Sequence, residues 1–248
     1  MRDRWLADAP GPRVSGSVNA VEDLCRIPKN QDVAKAEKTT RDVEVVRDDD
    51  PRCAELEAAG YRVVGESWGA RLRLSEPPEL SVMRDAVVRA EAVGIALREL
   101  SPDFSDDLFS LEYQNNADYP LTPATTQKLR DPDAIRGLWD KYRIFGALDG
   151  AQLVAATVIG QKADRGETQF TSVLSAYRGR GIGKAVKAAS ILALAEDGLR
   201  LFSTGGAGVN EASLGANRAL GYMIEERWRS YERDIGSATP NSYGCSWV

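Results

Sequence analysis

The sequence predicts a mixed α/β (α+β layered) fold: a central mixed, mostly antiparallel sheet flanked by helices and preceded by a small partial αβ domain. Three observations indicate this class. Strand-like and helical patterns alternate in the second half of the chain, and a glycine-rich turn joins a strand to an apolar helix. The composition is that of a globular protein, with 43% hydrophobic and 28% charged residues. A chain of 248 residues can hold one large domain, or one full domain and part of another.

The first part of the chain predicts a small αβ segment. Residues 1–40 are weakly patterned, and a short polar helix is expected at "QDVAKAEKTTRD". From Val43 onwards, "VEVVR" indicates a strand, "DDPRCAELEAAG" a helix that ends at Gly60, and "YRVVGESW" with "ARLRL" a hairpin-like pair of strands. "SEPPEL" interrupts the chain, and the apolar spacing in "LSVMRDAVVRAEAVG" predicts a linking helix.

The second part alternates strands and helices. "GIALREL" indicates a strand, "SPDFSDDLFSLEYQNN" and "TPATTQKLRDPDAIRGLWDKY" helices, and "RIFGALDGAQLVAATVIGQK" two strands joined at Asp149 and Gly150. A strand at "ETQFTSVL", a helix at residues 183–195, a strand at "LRLFST", a helix at residues 210–220 and two final strands through "YMIEERWRSYER" follow. The order βααβββαβαββ fits a single domain.

Two segments resemble each other. "AELEAAGYRVVGESW" and "LGANRALGYMIEERW" each contain a helix, a Gly-Tyr pair, apolar residues and a Glu-x-Trp ending. The similarity predicts that the first segment is a shrunken copy of the end of the main domain. The alternative is that helix-Gly-Tyr-strand is a common local solution. The first segment has no glycine-rich turn, so we expect no second ligand site there.

Composition excludes several classes of chemistry. The chain has no histidine, which removes Ser-His and Cys-His nucleophiles and histidine-based zinc sites. Its three widely spaced cysteines predict reduced thiols in a cytoplasmic protein. A net charge of -5 gives no general attraction to nucleic acid or anionic membrane, and no apolar run is long enough to span a bilayer. We therefore expect neither as a partner.

The stretch "SAYRGRGIGKAVKAASI" is the strongest functional signal. The first N–H groups of a helix have no internal partner and lie at the positive end of its dipole, so a junction that glycines keep open favours an anion. Dinucleotide and Walker phosphate loops do not fit, since Gly183 and Lys184 are followed by Ala185.

Arg178, Gly181 and Gly183 form the pattern Arg-x-x-Gly-x-Gly. It resembles the acyl-CoA pyrophosphate loop of the GNAT (GCN5-related) N-acetyltransferases. The resemblance extends through "VNEASLGANRALGYMIEERW", whose asparagines and Leu-Gly-Tyr ending also match that family. A tandem type with a degenerate N-terminal half would account for the residues that precede the matching region.

The resemblance implies a domain organisation. A GNAT acetyltransferase domain is expected at residues 94–235, after a degenerate half-domain at 1–78 and a linking helix at 79–93. Residues 236–248 are expected to form a flexible tail.

The resemblance also implies acetyl-CoA as co-substrate and no metal. Glu167 matches the position of the glutamate base in some members, although it could equally be a solvated strand end. Asn217 stands where many relatives carry a tyrosine that protonates the leaving thiolate, so either Tyr222 serves or no dedicated acid exists. The residues expected to bind acetyl-CoA are Thr171, Val173, Leu174, Arg178, Gly179, Arg180, Gly181, Ile182, Gly183, Lys184, Asn210 and Asn217.

Carboxylates beside aromatic rings suit a cationic acceptor amine, and Glu112, Tyr113, Asp118 and Tyr119 form such a group. The alternative is an acidic, solvated helix end, and Asn210 could equally cap a helix.

The expected function is acetyl-CoA-dependent N-acetyl transfer to a primary amine of a small molecule or peptide, by direct attack with a carboxylate as general base. Two alternatives stay open: acetylation of a protein N-terminus or lysine, and a non-catalytic acyl-CoA-binding regulatory domain. A homodimer is a further expectation.

Overall fold

The computed structural model describes residues 41–119, 123–124, 130–162 and 164–234. Most of the expected polar helix at residues 31–42, the expected tail and part of the helix expected at "TPATTQKL" lie outside these ranges. The elements are β1 (Arg41–Arg47), α1 (Arg52–Ala58), β2 (Arg62–Arg73), α2 (Ser81–Glu91), β3 (Ile95–Glu99), α3 (Ser105–Asn115), α4 (Pro132–Arg136), β4 (Arg143–Asp149), β5 (Gln152–Lys162), β6 (Arg165–Val173), α5 (Ile182–Glu196), β7 (Leu201–Ala207), α6 (Glu211–Arg218) and β8 (Met223–Asp234).

These strands form one sheet in the order β1-β8-β2-β7-β6-β5-β4-β3. From β8 to β3, neighbouring strands are antiparallel except for β6 and β7, which are parallel. The predicted class, a mixed and mostly antiparallel sheet flanked by helices, is therefore confirmed. Within the described part of the chain, no helix is long and apolar enough to cross a membrane.

The core covers both faces of the middle strands. Residues 153–160 of β5 are all buried, and successive residues of a strand point to opposite faces of the sheet. Helices α3 and α5 both pack against β5 and β6, and α2 packs against α5. Twelve of the fifteen residues of α5 are buried, which explains its almost continuous apolar sequence.

Two of the predicted strand pairs are wrong. The hairpin expected at "YRVVGESW" and "ARLRL" is a single strand, β2, and the two final strands expected through "YMIEERWRSYER" are the single strand β8. Gly69 does not reverse the chain, because β2 pairs with β7 along one edge and with β8 along the other. The chain accommodates Gly69 with a register shift between Gly69 and Ala70 instead of a turn.

The two similar segments are neighbours in the sheet. β1, α1 and β2 repeat the order of β7, α6 and β8, and the strands alternate as β1-β8-β2-β7. Where β2 meets β8, Ser67 is opposite Trp228 and Trp68 is opposite Arg227. This self-complementary register is the one that a two-fold axis between the strands would produce. It supports the copy over a chance similarity of local pattern.

The predicted division into domains stays a prediction. One compact unit takes in Val43–Arg233, so the described part of the proposed half-domain shares a sheet with the rest. The other unit, Met1–Asp42 with Asp234–Val248, lies almost wholly outside the described residues. Cys53 is a buried free thiol.

Trp68 ties β2 to β7. Its side chain is only 3% exposed, and its indole Nε1 donates a hydrogen bond to the Ala207 carbonyl oxygen at 3.2 Å. Gly206 makes room for the ring, since a Cβ atom there would lie 2.9 Å from the indole Cζ2. The second half of β7 is therefore fitted to a side chain of the N-terminal segment.

Replacing Trp68 with alanine should lower the free energy of unfolding by about 3–5 kcal/mol, because a large buried side chain and its hydrogen bond are lost. Trp228, its counterpart in the other segment, is only half-buried, so Trp228→Ala should cost clearly less. Urea unfolding of the two variants makes the comparison. Equal losses would contradict the role given to Trp68.

Candidate functional site

Strands β6 and β7 pair only at their beginnings. Arg165, Gly166 and Glu167 lie opposite Leu201, Phe202 and Ser203, and no pair follows along either strand. Gly166 permits the close approach, since a Cβ atom there would lie 2.8 Å from the Phe202 ring. Beyond Glu167, β6 keeps its pairing with β5, and β7 keeps its pairing with β2. The parting of β6 and β7 therefore leaves backbone groups on the facing edges of both strands without a strand partner.

The end of β6 leads into the glycine loop, residues 175–181. Gly179 and Gly181 have φ angles of +73° and +78°, and a Cβ atom on either would meet no atom within 4 Å. The first bond of α5 runs from Ala185 N to Gly181 O at 3.0 Å, so the N–H groups of residues 182–184 have no helical acceptor. The loop thus leaves open space in front of three free amides at a helix N-terminus.

A cleft of about 660 Å³, the larger cleft, lies over the glycine loop. It is lined by the end of β6, the beginning of α5, most of α6, and residues at and just after the end of α3. Leu174 lies outside this lining, as does Arg180, whose guanidinium covers the Tyr177 ring at 5.0 Å. The larger cleft brings together most of the residues expected to bind acetyl-CoA: Thr171, Val173, Arg178, Gly179, Gly181, Ile182, Gly183, Lys184, Asn210 and Asn217.

Arg178 fastens the glycine loop to the end of α3. Its Nη1 forms an ion pair with Asp118 at 2.8 Å, its Nη2 donates to Asn115 Oδ1 at 2.8 Å, and its Nε donates to the Val173 carbonyl at 3.0 Å. A phosphate would have to compete with these partners for the guanidinium. Asp118 is also engaged, so it is not the free carboxylate that an acceptor ammonium would need.

Of the other expected acceptor residues, Glu112 and Tyr119 contact each other while Tyr113 lies apart. Glu112 is buried and accepts a hydrogen bond from the Tyr119 hydroxyl at 3.2 Å. Burial raises the pKa of both groups, and the Glu112 carboxylate raises that of Tyr119 further. Tyr113 is 65% exposed, packs beside Phe109 and lies outside the larger cleft. The four residues therefore do not form one cationic pocket.

A second cavity, the smaller cavity, has a volume of about 270 Å³ and lies where β6 and β7 still pair. Residues of β2, β6, β7 and β8 line it, including Glu167, Glu225 and Glu226. Arg71 donates to Glu225 at 2.6 Å and to Glu226 at 2.8 Å. Hydrogen bonds from Arg73 and Arg71 lower the pKa of Glu225 to about 2. The lining thus carries three carboxyl groups and two guanidinium groups, those of Arg71 and Arg165.

Three buried polar atoms in the lining of the smaller cavity make no hydrogen bond to the described residues: Arg165 Nε, Thr168 Oγ1 and Ser203 Oγ. Each such atom costs about 1–3 kcal/mol unless water or a ligand satisfies it. Most of the residues that line the cavity are charged or carry hydroxyl groups, which favours a polar occupant. Within the described ranges, no group of three or more acidic or cysteine side chains is placed to hold a metal ion.

Lys187 belongs to the first turns of the helix at the glycine loop, where an anion is expected, but the sequence does not predict its burial. It is 4% exposed, and its Nζ donates to Thr204 Oγ1 at 2.9 Å and to Asn217 Oδ1 at 2.5 Å. Burial lowers its pKa to about 7. Lys187 lines the larger cleft and Thr204 lines the smaller cavity, so this hydrogen bond joins the two. The sequence signal that could have indicated its burial is the position of this lysine among the apolar residues of α5.

Tyr222, the expected acid, lines neither cavity. It is 3% exposed, and burial raises the pKa of its phenol, with a small opposing effect of the nearby Thr168 hydroxyl. Its ring centroid lies 5.0 Å from the Lys187 Nζ. Asn210 accepts a hydrogen bond from the Ser213 amide at 3.0 Å, which confirms the capping alternative, although Asn210 also lines the larger cleft.

Stability should depend on pH through Lys187. The unfolded lysine keeps its proton up to pH 10.5 and the folded one loses it near pH 7, so the free energy of unfolding rises by about 1.4 kcal/mol per pH unit across this window. Lys187→Met should remove this slope, and its stability relative to the wild type should be greatest below pH 7. Urea unfolding across the window measures it, with the exposed Lys162→Met as control. A constant difference would contradict the burial effect.

No protein-family model matches the chain, and no curated protein matches it. Solved structures do. A GCN5-related N-acetyltransferase from Sphaerobacter thermophilus has a TM-score of 0.58 and 18% identity over 79% of this chain and 60% of its own. A tandem GNAT protein from the clavulanic acid biosynthesis pathway gives 0.56 and 18%, over 81% of this chain and 66% of its own.

A fungal GCN5-related glucosamine N-acetyltransferase region gives a TM-score of 0.57 and 14% identity, over 76% of this chain and 24% of that one. The chain spans 60% of the length of the Sphaerobacter protein. Identities this low establish the architecture alone, and the chain has the fold of the GCN5-related N-acetyltransferases.

Proposed function

We propose that the chain is an acetyl-CoA-dependent N-acetyltransferase that acts on a primary amine of a small molecule or peptide. The observation that carries this proposal is the parting of β6 and β7, which opens directly towards the glycine loop. A gap between two strands offers hydrogen bonds to an extended, amide-containing chain. Free amides at a helix N-terminus offer them to phosphates. Coenzyme A has both kinds of group.

The residues of the larger cleft fit this co-substrate. The free amides of residues 182–184, the side chain of Lys184 and the open space at Gly179 and Gly181 suit the pyrophosphate. The edge of β6 at Thr171 and Val173, which has no strand partner on this side and of which the Val173 carbonyl accepts a hydrogen bond from Arg178, suits the pantetheine amides. Acetyl-CoA would supply an acetyl group activated as a thioester. Every other part of the chemistry falls to side chains of this chain.

Glu167 is the proposed proton acceptor. A lysine-like amine has a pKa of about 10 and must lose a proton before it can attack. Glu167 lines the smaller cavity, where Glu225 and Glu226 pair with Arg71 but Glu167 has no ion pair among the described residues, so its carboxylate is the one left for an acceptor amine. We therefore propose that the acceptor amine enters the smaller cavity and not the surroundings of Glu112 and Tyr119. The carboxylate can take the proton directly or through water.

The non-catalytic alternative rests on Asn217, which stands where relatives carry a tyrosine acid. Acetyl-CoA binding without release of CoA to any amine would favour that alternative. Acetylation of a protein N-terminus or lysine differs from the proposal in the size of the acceptor, and a panel containing both amines and peptides separates these.

One prediction of the proposed function concerns the binding of acetyl-CoA. Acetyl-CoA at 100 times its dissociation constant should raise the free energy of unfolding by about 2.7 kcal/mol. Gly181→Asp should abolish this gain, because its carboxylate would stand in the space proposed for phosphate. Gly150→Asp is the matched control, since Gly150 also has a positive φ angle, +58°, and open space around it, but lies in the β4–β5 turn.

Unfolding with and without acetyl-CoA makes the measurement for each protein. The Gly150→Asp control should keep the full stabilisation by acetyl-CoA, even if backbone strain lowers its own free energy of unfolding. If acetyl-CoA does not stabilise the wild-type chain, the proposed function is wrong.

Another prediction of the proposed function concerns the role of Glu167 in catalysis. Glu167→Gln should lower kcat by about 10²–10⁴-fold, because the amide cannot accept the proton, and should leave the dissociation constant of acetyl-CoA unchanged. CoA release is measured with a panel of primary amines and short peptides. The exposed Glu196→Gln is the control. An unchanged kcat in Glu167→Gln would remove Glu167 from the mechanism.

A further inference from the structure

Transfer of the acetyl group leaves a proton to be delivered as well as one to be removed. When the amine nitrogen bonds to the acetyl carbon, the carbon–sulfur bond breaks and its electron pair goes to sulfur. An acceptor ammonium loses two protons in becoming an amide: Glu167 passes the first to solvent before the attack and takes the second from the nitrogen as the new bond forms. The sulfur needs a proton to leave as a neutral thiol. Asn217 cannot donate as an acid, and Tyr222 lines neither cavity. The proton for the sulfur therefore needs another source.

Lys187 is the charged group at the boundary between the two cavities. It lines the larger cleft, while its hydrogen-bond partner Thr204 lines the smaller cavity. A thioester reached by CoA from one side and by the amine from the other must have its carbonyl at such a boundary. Thr204 belongs to the part of β7 that has already separated from β6.

The hydrogen bonds of Lys187 leave one donor for a ligand. An ammonium group has three N–H bonds. Thr204 Oγ1 and Asn217 Oδ1 accept two of them, and no other acceptor for Nζ occurs among the described residues. Asn217 is itself held by its Nδ2, which donates to the Ser213 carbonyl at 2.8 Å. The two acceptors thus fix the ammonium in place without using all of its hydrogens.

We propose that Lys187 is the proton donor to the sulfur that leaves, and that Asn217 is a positioning residue that holds it. This inference rests on the proposed function. The Lys187 ammonium gives one proton to the sulfur, becomes a neutral amine and regains a proton from solvent after the products leave, so that charge and atoms balance. Asn217, which stands in place of the tyrosine of relatives, then has a role: its amide oxygen accepts a hydrogen bond from the Lys187 ammonium.

The electrostatic surroundings suit this role. Burial lowers the pKa of Lys187 to about 7, below the value of about 8.5 for an ordinary thiol, so the proton transfer is favourable. No carboxylate forms an ion pair with its Nζ within the described residues. The other titratable groups around Lys187 are Lys184 and Glu196 on α5, Glu211 and Arg218 on α6, Arg178 with its partner Asp118, Tyr119 and Tyr177 in the cleft lining, and Tyr222 after α6.

The test is the acidity of CoA bound to the protein, which needs no acceptor amine. The ultraviolet absorbance of the thiolate is followed against pH for CoA in the presence of excess protein, with desulfo-CoA as the blank. A nearby ammonium should lower the pKa of the bound thiol below that of free CoA, but by less than the gap of about 1.5 between Lys187 (about 7) and an ordinary thiol (about 8.5), because a larger shift would make the ammonium the weaker acid. Lys187→Met should return it to the free value or above, and the exposed Lys162→Met should not change it.

Each outcome decides between the proposals. If CoA binds and its thiol titrates as in free solution in the wild type, Lys187 is not the donor, although the proposed function stands. This wild-type measurement suffices even if Lys187→Met does not fold. If CoA and desulfo-CoA both bind and only Lys187→Met loses the lowered pKa, the inference is supported. If neither ligand binds, the proposed function fails and the inference fails with it.

Discussion

A strand can separate from its neighbour inside a sheet only if something else satisfies its backbone, and here β2 does so for β7. All seven residues of β7 pair with β2, but only the first three pair with β6. Without β2, the far half of β7 would have no strand partner on either side, at a cost of about 1–3 kcal/mol for each buried polar group. The gap that the proposed function requires therefore depends on the N-terminal segment, which lies furthest in sequence from the glycine loop.

Local signals in the sequence were enough to predict the glycine loop and the helix after it. Gly179 and Gly181 are at positions with positive φ, and α5 follows almost where the apolar pattern places it. The partners of β2 were not predictable in the same way. Glycines within "YRVVGESWGARLRL" suggested a turn, whereas the strand stays extended because β7 and β8 bind both of its edges. Pairing with strands more than a hundred residues away leaves no local trace in the sequence.

The candidate site shows the same limit at the level of single charges. Asp118 and Arg178 were expected to serve different ligands, yet they form an ion pair with each other. The sequence shows which charged groups lie close enough together to bind a ligand. It does not show which of them form ion pairs with each other in the folded protein. The burial of Lys187 is not predictable for the opposite reason: lysine on a helix is usually solvated, and only the packing of α5 against the sheet shows that this one is buried.

The self-complementary register of β2 and β8 also bears on how such a site can change. In a pair of identical chains related by a two-fold axis, every substitution at the shared strands occurs twice. Here the two equivalent strands belong to one chain, so each can vary alone. Trp68 is buried against Gly206, while Trp228 is half-buried. Arg71 and Glu226, from opposite strands, both line the smaller cavity. Because the two strands are parts of one chain, the walls that they give the smaller cavity can carry different side chains.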